Sequence, residues 1–359
     1  MLQTELRKFA QQVILDKVDE LDTSCSLPSD NIRQLAEMGI LGASIPEDME
    51  GAALECIGLA VSLEEIARVC SSTATIIATH NALYTYPILK FGNDAQKKKY
   101  LPPAATGEQV GSWALPATNE ITVTKKNEGH MVSGKNPFAL NAEFKGPLIL
   151  IVPTGDQSET MTAFIVDAGS TEIEITNAHN TLGLRAAGIG SLKFNDLLLT
   201  PQDVLGTEGG GLSVLETARD YMKILTAAIA VGIAQGATDE AIKYGKERIQ
   251  FGQPITTFGM VREKIALMTT NTEAARNLTL EAALQFDAAA DFRKAATVAK
   301  YYAGRSAVDI TNEAIQIFGG YGYMKDYPVE RYFRDAQVIN VLCSTPAEDK
   351  EFIAKHTLD

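Results

Sequence analysis

Four histidines (His80, His130, His179, His356) and four cysteines (Cys25, Cys56, Cys70, Cys343) are the side chains best suited to ligate a metal or attack a carbon near neutral pH. They are scattered. No histidine pair stands at helical spacing, no HExxH occurs, and the cysteine spacing fits no metal motif, so no metal site is expected. A reducing cytosol argues against disulfides. There is no Gly-x-Ser-x-Gly elbow, P-loop or dinucleotide-binding glycine pattern. The run Gly209-Gly210-Gly211 reads as a flexible entry to a helix rather than a phosphate cradle. What remains is near the C-terminus. Glu247-Arg248-Ile249-Gln250-Phe251-Gly252-Gln253-Pro254-Ile255 is one segment. Gln316-Ile317-Phe318-Gly319-Gly320-Tyr321-Gly322-Tyr323, leading to Pro328-Val329-Glu330-Arg331-Tyr332-Phe333-Arg334-Asp335-Ala336, is the other. Val341-Leu342-Cys343-Ser344-Thr345 follows, and Asp220 and Glu348 are the carboxylates nearest in sequence to positions of interest.

The elements that must position these residues change character along the chain. Of its 359 residues, 45% are hydrophobic and 21% charged, enough for several packed layers and too apolar for disorder. The net charge of −13 argues against binding nucleic acid, which needs a basic surface to displace counterions. No apolar run approaches the roughly 20 residues of a membrane span, and Met1 to Asp22 has no signal-peptide core, so a soluble, cytoplasmic protein is expected. Residues 1–112 read as a helical domain. Leu6, Phe9, Val13, Ile14 and Val18 recur at helical spacing, Ser29-Asp30-Asn31 offers an N-cap, Leu59 to Val69 reads as amphipathic, and Asp94 reads as a cap. Residues 113–205 carry short alternating segments punctuated by Gly, Asn, Asp and Thr, the pattern of a small β-barrel or sandwich. Residues 206–359 return to long Ala-rich apolar faces, read as a four-helix bundle that continues into a subunit interface. The fold class expected is therefore multidomain α+β.

The two C-terminal segments resemble the signatures of the acyl-CoA dehydrogenase family of flavoproteins. Ile45-Pro46-Glu47-Asp48 with Gly51-Ala52-Ala53-Leu54, Phe91 to Pro102, Leu182-Gly183-Leu184-Arg185 and Leu192-Lys193-Phe194 resemble further family segments, in the family's order and over nearly the whole chain. The resemblance implies FAD as cofactor, an acyl-CoA substrate and an electron-transfer flavoprotein as acceptor. A carboxylate removes the α-proton while a hydride passes to the flavin. It also implies a dimer or tetramer in which each FAD lies across a subunit boundary.

Matched residue by residue, the family's contacts fall into two sets. Arg248 matches the arginine that meets the pyrophosphate, where a guanidinium fork suits paired oxygens. Phe251 matches an aromatic packed near the cofactor, and Gln316, Gly319 and Gly320 match the glutamine and glycine turn along the adenosine and pyrophosphate. This set, which serves the neighbouring subunit's FAD, is intact. The ring-holding set is altered. Pro116-Ala117-Thr118 stands where the family has Thr-Glu-Pro, and the loop after it is shortened. Phe138-Ala139-Leu140 replaces Trp-Ile-Thr, and Leu140 has no hydrogen-bonding group for the flavin. Cys343 occupies the base position, Met222 (followed by Lys223) the alternative one, and only Thr345 survives from the motif after the base. Tyr84, Tyr86 and Leu225 are expected to shape the acyl pocket. The imbalance points to a subunit that completes the FAD site of a catalytic paralogue in a hetero-oligomer. Two alternatives stand beside it: a divergent active enzyme, dehydrogenating, decarboxylating or non-oxidative, with Cys343, Asp220, Glu348 or a substrate-borne group as base, and a non-catalytic interaction protein.

Overall fold

The computed structural model describes residues 2–116, 120–127, 129–155, 160–167, 169–178 and 181–358. Ala117, Thr118 and His179 lie outside the described residues. The helical first part opens with α1 (Leu2–Phe9), whose line continues through a π-helical turn at Ala10–Ile14 into α2 (Val18–Ser24). Leu6, Ala10, Ile14 and Val18 are buried along that line, as their four-residue spacing requires. Then come α3 (Ser29–Glu37), α4 (Cys56–Ala67) and α5 (Ser71–Ala78), the last passing through a π-helical turn at Thr79–Thr85 into α6 (Tyr86–Phe91); α7 (Asp94–Ala105) follows. Three local expectations are corrected. Ser29 is already helical, Pro28 holds the cap position, and no side-chain cap bond forms there. Asn93, not Asp94, caps α7: its side chain accepts from Gln96 N while Gln96 Oε1 accepts from Asn93 N, the reciprocal pairing that satisfies two free donors. Finally, α4 is buried nearly all round, including Glu64 and Glu65, because long helices cover both its flanks and Arg7 and Arg276 neutralise those carboxylates.

Among the described residues, seven strands follow: β1 (Ser112–Ala114), β2 (Ile121–Lys126), β3 (Gly129–Leu140), β4 (Leu148–Pro153), β5 (Met161–Val166), β6 (Ile173–Ala178) and β7 (Gly190–Leu199). They form one sheet in the order β5-β4-β1-β3-β7-β6, with β2 paired to β3. Leu150, Val152 and Phe164 from one half and Val132, Phe194 and Leu199 from the other share a single core, so the sheet folds over on itself.

The last part begins with α8 (Gly211–Glu247), a 37-residue helix buried through its middle. A short hairpin of β8 (Ile249–Gln250) and β9 (Gln253–Pro254) leads to α9 (Gly259–Asp287) and α10 (Arg293–Phe318), then α11 (Val329–Val341) and α12 (Pro346–Leu358). Among the described residues, no helix is long and apolar enough to cross a membrane.

The Glu330 to Asp335 motif ties the parts together. Arg334 grips Asp22 at 2.7 Å and Glu330 at 2.7 Å. Buried Arg331 donates to the carbonyl of Val69 at 3.2 Å, and Asp335 accepts from Leu184 N at 2.7 Å. One turn-and-a-half of α11 thus fastens α2, the end of α4 and the loop before β7.

Candidate functional site

Strand alternation builds the first wall of an apolar cavity. In the antiparallel pair β1–β3, Trp113 lies opposite Leu140 and Ala114 opposite Ala139. The alanines face the sheet's own core, so Trp113, Leu115, Phe138 and Leu140 all project from the other side. Helical spacing builds the second wall. Leu215, Arg219 and Met222 fall at i, i+4 and i+7 on α8, and Val338 and Val341 at i and i+3 on α11. Leu342 to Thr345 close the end. The enclosed volume is about 410 Å³. Seven positions singled out in the sequence (Pro116, Phe138, Leu140, Met222, Cys343, Thr345 and Glu348) therefore meet around one space. Trp113, the chain's sole tryptophan, was not singled out; its two-residue spacing from Leu115 was the available signal.

Tyr84, Tyr86 and Leu225 do not line this cavity. Tyr84 and Leu225 are fully buried in the helical core, and Tyr86 packs against Tyr221 and Phe286 on the other side of α8. Leu83 takes the place expected of Tyr84, since the π-helical turn rotates the register by one residue.

The loop after α11 is held rigidly although it carries no base. Cys343 adopts φ +60°, a left-handed conformation unfavourable for a residue with a Cβ. Arg219 Nε donates to its carbonyl at 2.9 Å. Lys300, fully buried, donates to the carbonyls of Asn340 (3.0 Å) and Ser344 and pairs with Asp349 at 2.9 Å. Asp349 also accepts from Ser344 Oγ at 2.5 Å. Burial pushes the Cys343 thiol above its ordinary value, against the pull of nearby Lys300, so it is protonated and a poor base at neutral pH.

Both neighbouring carboxylates are already paired within the chain. Asp220 faces an adjoining polar cleft of about 460 Å³ that shares Arg219, Ser344 and Glu348 with the cavity, and pairs there with Lys223 at 2.8 Å. Glu348 does reach the cavity mouth but is committed to α12. It accepts from Thr345 N at 2.6 Å and Thr345 Oγ1 at 2.9 Å, and Thr345 Oγ1 in turn accepts from Glu348 N at 3.3 Å. That capping box holds the Glu348 carboxyl below its ordinary value, the bond from Thr345 N being the main cause.

The other set gathers at the far end of α8. Arg248, Gly319 and Gly320 line an open concavity of about 550 Å³, floored by Tyr244 stacked on Phe318 at 4.1 Å. Arg248 lies over the Tyr321 ring at 5.5 Å and, among the described residues, has no carboxylate partner. Gly319 ends α10 with φ +59° and ψ −133°, a conformation reserved for glycine, and open space lies where its Cβ would be. Gln316 is exposed one turn earlier, and Phe251 is 92% exposed on the hairpin. At roughly 1.5 Å per residue, Met222 and Arg248 stand on the order of 40 Å apart along α8, beyond the reach of one dinucleotide.

A three-part helical–sheet–helical scaffold with a cavity between sheet and bundle defines a dehydrogenase-type architecture. Residues 1–108 match the acyl-CoA dehydrogenase N-terminal domain and residues 209–355 the acyl-CoA dehydrogenase C-terminal domain. The mitochondrial short-chain specific acyl-CoA dehydrogenase of Rattus norvegicus is 32% identical, over 100% of this chain and 89% of its own length. Butyryl-CoA dehydrogenase from Megasphaera elsdenii superposes with a TM-score of 0.95 at 29% identity, covering 100% of this chain and 98% of that one. A chain from a structure described as the electron transferring flavoprotein of Acidaminococcus fermentans superposes with a TM-score of 0.96 at 30% identity, covering 100% and 97%. The chain belongs to the acyl-CoA dehydrogenase family, whose members are FAD-dependent oxidoreductases.

Proposed function

We propose that this chain is a cytoplasmic subunit of an acyl-CoA α,β-dehydrogenating hetero-oligomer, in which it supplies phosphate-end contacts to FAD seated in a catalytic paralogue. The observation that carries the reading is the split along α8. The residues suited to phosphate lie at one end, and the altered cavity lies on the order of 40 Å away at the other. Arg248, which has no carboxylate partner among the described residues, would hold the pyrophosphate, and the glycine turn at Gly319 and Gly320 leaves backbone N–H groups approachable. Gln316 and Phe251 would flank the adenosine. The ring end fits the cofactor poorly: Phe138 and Leu140 bring no side-chain hydrogen-bonding group, and Thr345 is spent on capping α12. FAD held there would supply the redox chemistry of hydride acceptance from the substrate, with an electron-transfer flavoprotein as the expected electron acceptor. Weighing against an autonomous dehydrogenase, no carboxylate on the cavity is unengaged among the described residues: Asp220 faces the adjoining cleft and Glu348 caps α12.

The test is flavin content. Purified alone, the chain should carry little or no FAD; co-expressed with a catalytic relative, it should yield a complex with stoichiometric FAD. Arg248→Ala in that complex should weaken FAD retention by about 10- to 100-fold while leaving subunit association intact, as expected for losing a charge-assisted phosphate contact. Stoichiometric FAD on the lone chain would overturn the reading.

A further inference from the structure

We infer that a second pocket, formed by α4, α6, α8 and the α9–α10 turn, binds a free amino acid with an apolar side chain, Asp287 receiving its ammonium and Lys90 its carboxylate. The pocket encloses about 410 Å³, within the range of small-molecule sites. It shares no lining residue with the cavity at Cys343, the cleft at Asp220 or the concavity at Arg248.

Its body is aromatic. Tyr221 stacks on Phe286 at 4.5 Å, Tyr86 lies tilted against Tyr221 at 4.7 Å, and Phe292 meets Phe286 edge-on at 5.0 Å. Leu54 and Leu89 add aliphatic surface. Ser44 Oγ and Tyr221 OH bond one another at 2.9 Å. A leucine-like or phenylalanine-like side chain gains the usual stabilisation of apolar burial against these rings.

Two opposite charges on the same lining are unmatched. Asp287 is fixed in place by the start of α4, accepting from Cys56 N at 2.7 Å and Ile57 N at 3.0 Å, one bond to each oxygen. Each oxygen keeps a further acceptor site, and the surrounding ring faces also favour a cation. Lys90 lies over the Tyr86 ring at 5.6 Å. Among the described residues neither Asp287 nor Lys90 has an ion-pair partner, and they do not pair with one another. A simple ion would satisfy one charge and leave the other. An amino acid carries both charges on the carbon that bears its side chain, so it can satisfy the two while its side chain fills the aromatic body.

Calorimetric titration of the full chain with L-leucine and L-phenylalanine, each beside the acid and the amine that lack one charge, reads the assignment directly. Removing the ammonium, as in 4-methylpentanoate and 3-phenylpropionate, should weaken binding about 10- to 100-fold, the worth of a charge-assisted bond to a held carboxylate. Removing the carboxylate, as in isopentylamine and phenethylamine, should cost only about two- to fivefold, because Lys90 is exposed. Asp287→Asn, which keeps an oxygen for α4, should make amino acid and acid bind alike. Lys90→Met should do the same for amino acid and amine. Ala290→Trp, at the exposed rim, should block every compound, whereas a ligand drawn into the cavity at Cys343 would be indifferent to it. No binding of either amino acid, equal binding of amino acid and acid on the unaltered chain, or binding that survives Ala290→Trp overturns the assignment. Should Asp287→Asn fail to fold, the analogue series and Ala290→Trp still decide. The flavin measurement on the complex turns on Arg248 and is independent of these results.

Discussion

At the scale of single residues, two buried titratable groups act on stability in opposite directions. Asp335 is sealed in the joint between α11 and the loop before β7, and burial lifts it to about 6. Between its ordinary value and 6 the folded chain binds more protons than the unfolded one, so stability falls as pH rises through that window, by about 3 kcal/mol. His80 is equally buried. Its Nδ1 accepts from Gly111 N at 2.9 Å, which assigns the proton to Nε2, donated to the Ala104 carbonyl at 3.2 Å. Burial lowers it to about 4, so here the unfolded chain takes up the proton first and stability rises with pH from about 4 to its ordinary value near 6.5. The two slopes offset one another between pH 4 and 6. Asp335→Asn keeps an acceptor for Leu184 N but removes one slope, so its urea midpoint should climb relative to the unaltered protein's as pH rises from 4 to 6. Parallel midpoints across that range would show that Asp335 does not titrate as described.

At the scale of elements, the site depends on how closely α8 lies against α4. A Cβ on Gly232 would crowd the Glu64 carbonyl oxygen and come within 2.7 Å of Ala67 Cβ. The helices therefore touch backbone to backbone, which fixes the height of Met222 and Arg219 relative to β1 and β3. Intrinsic helix propensity favours alanine over glycine by about 1 kcal/mol, yet overpacking costs about 1–3 kcal/mol in a rigid contact of this kind. Gly232→Ala should therefore lower the denaturation midpoint. Gly259→Ala, at the open start of α9, should leave it unchanged or raise it slightly. If both variants behave alike, the close α4–α8 contact does not have the importance given to it here.

At the scale of the whole molecule, the end of the chain around Arg248 carries exposed apolar side chains. Phe251 is 92%, Tyr323 87% and Met260 76% exposed. Large apolar side chains this exposed are the kind an interface covers. Phe251→Ser with Tyr323→Ser should weaken self-association or association with a catalytic relative by at least about tenfold, measured by light scattering after gel filtration, without moving the melting temperature. A chain that runs as a monomer alone and still pairs normally when doubly substituted would remove this surface from the assembly.

The sequence by itself determined the order of the three parts and the family, and it carried the expectations at Arg248, Gly319-Gly320 and Cys343. Each is written in contiguous residues or in a period of two or about 3.6, which the chain carries locally. Periodicity says which side chains share a face, but not what that face meets. Only the tertiary structure decided that Trp113 from β1, Leu140 from β3, Arg219 from α8 and Cys343 after α11 surround one space, and that Tyr84 does not. It also decided that Glu348 caps a helix and that Asp220 pairs with Lys223, because a carboxylate's role depends on the partners folding brings within about 3 Å of it.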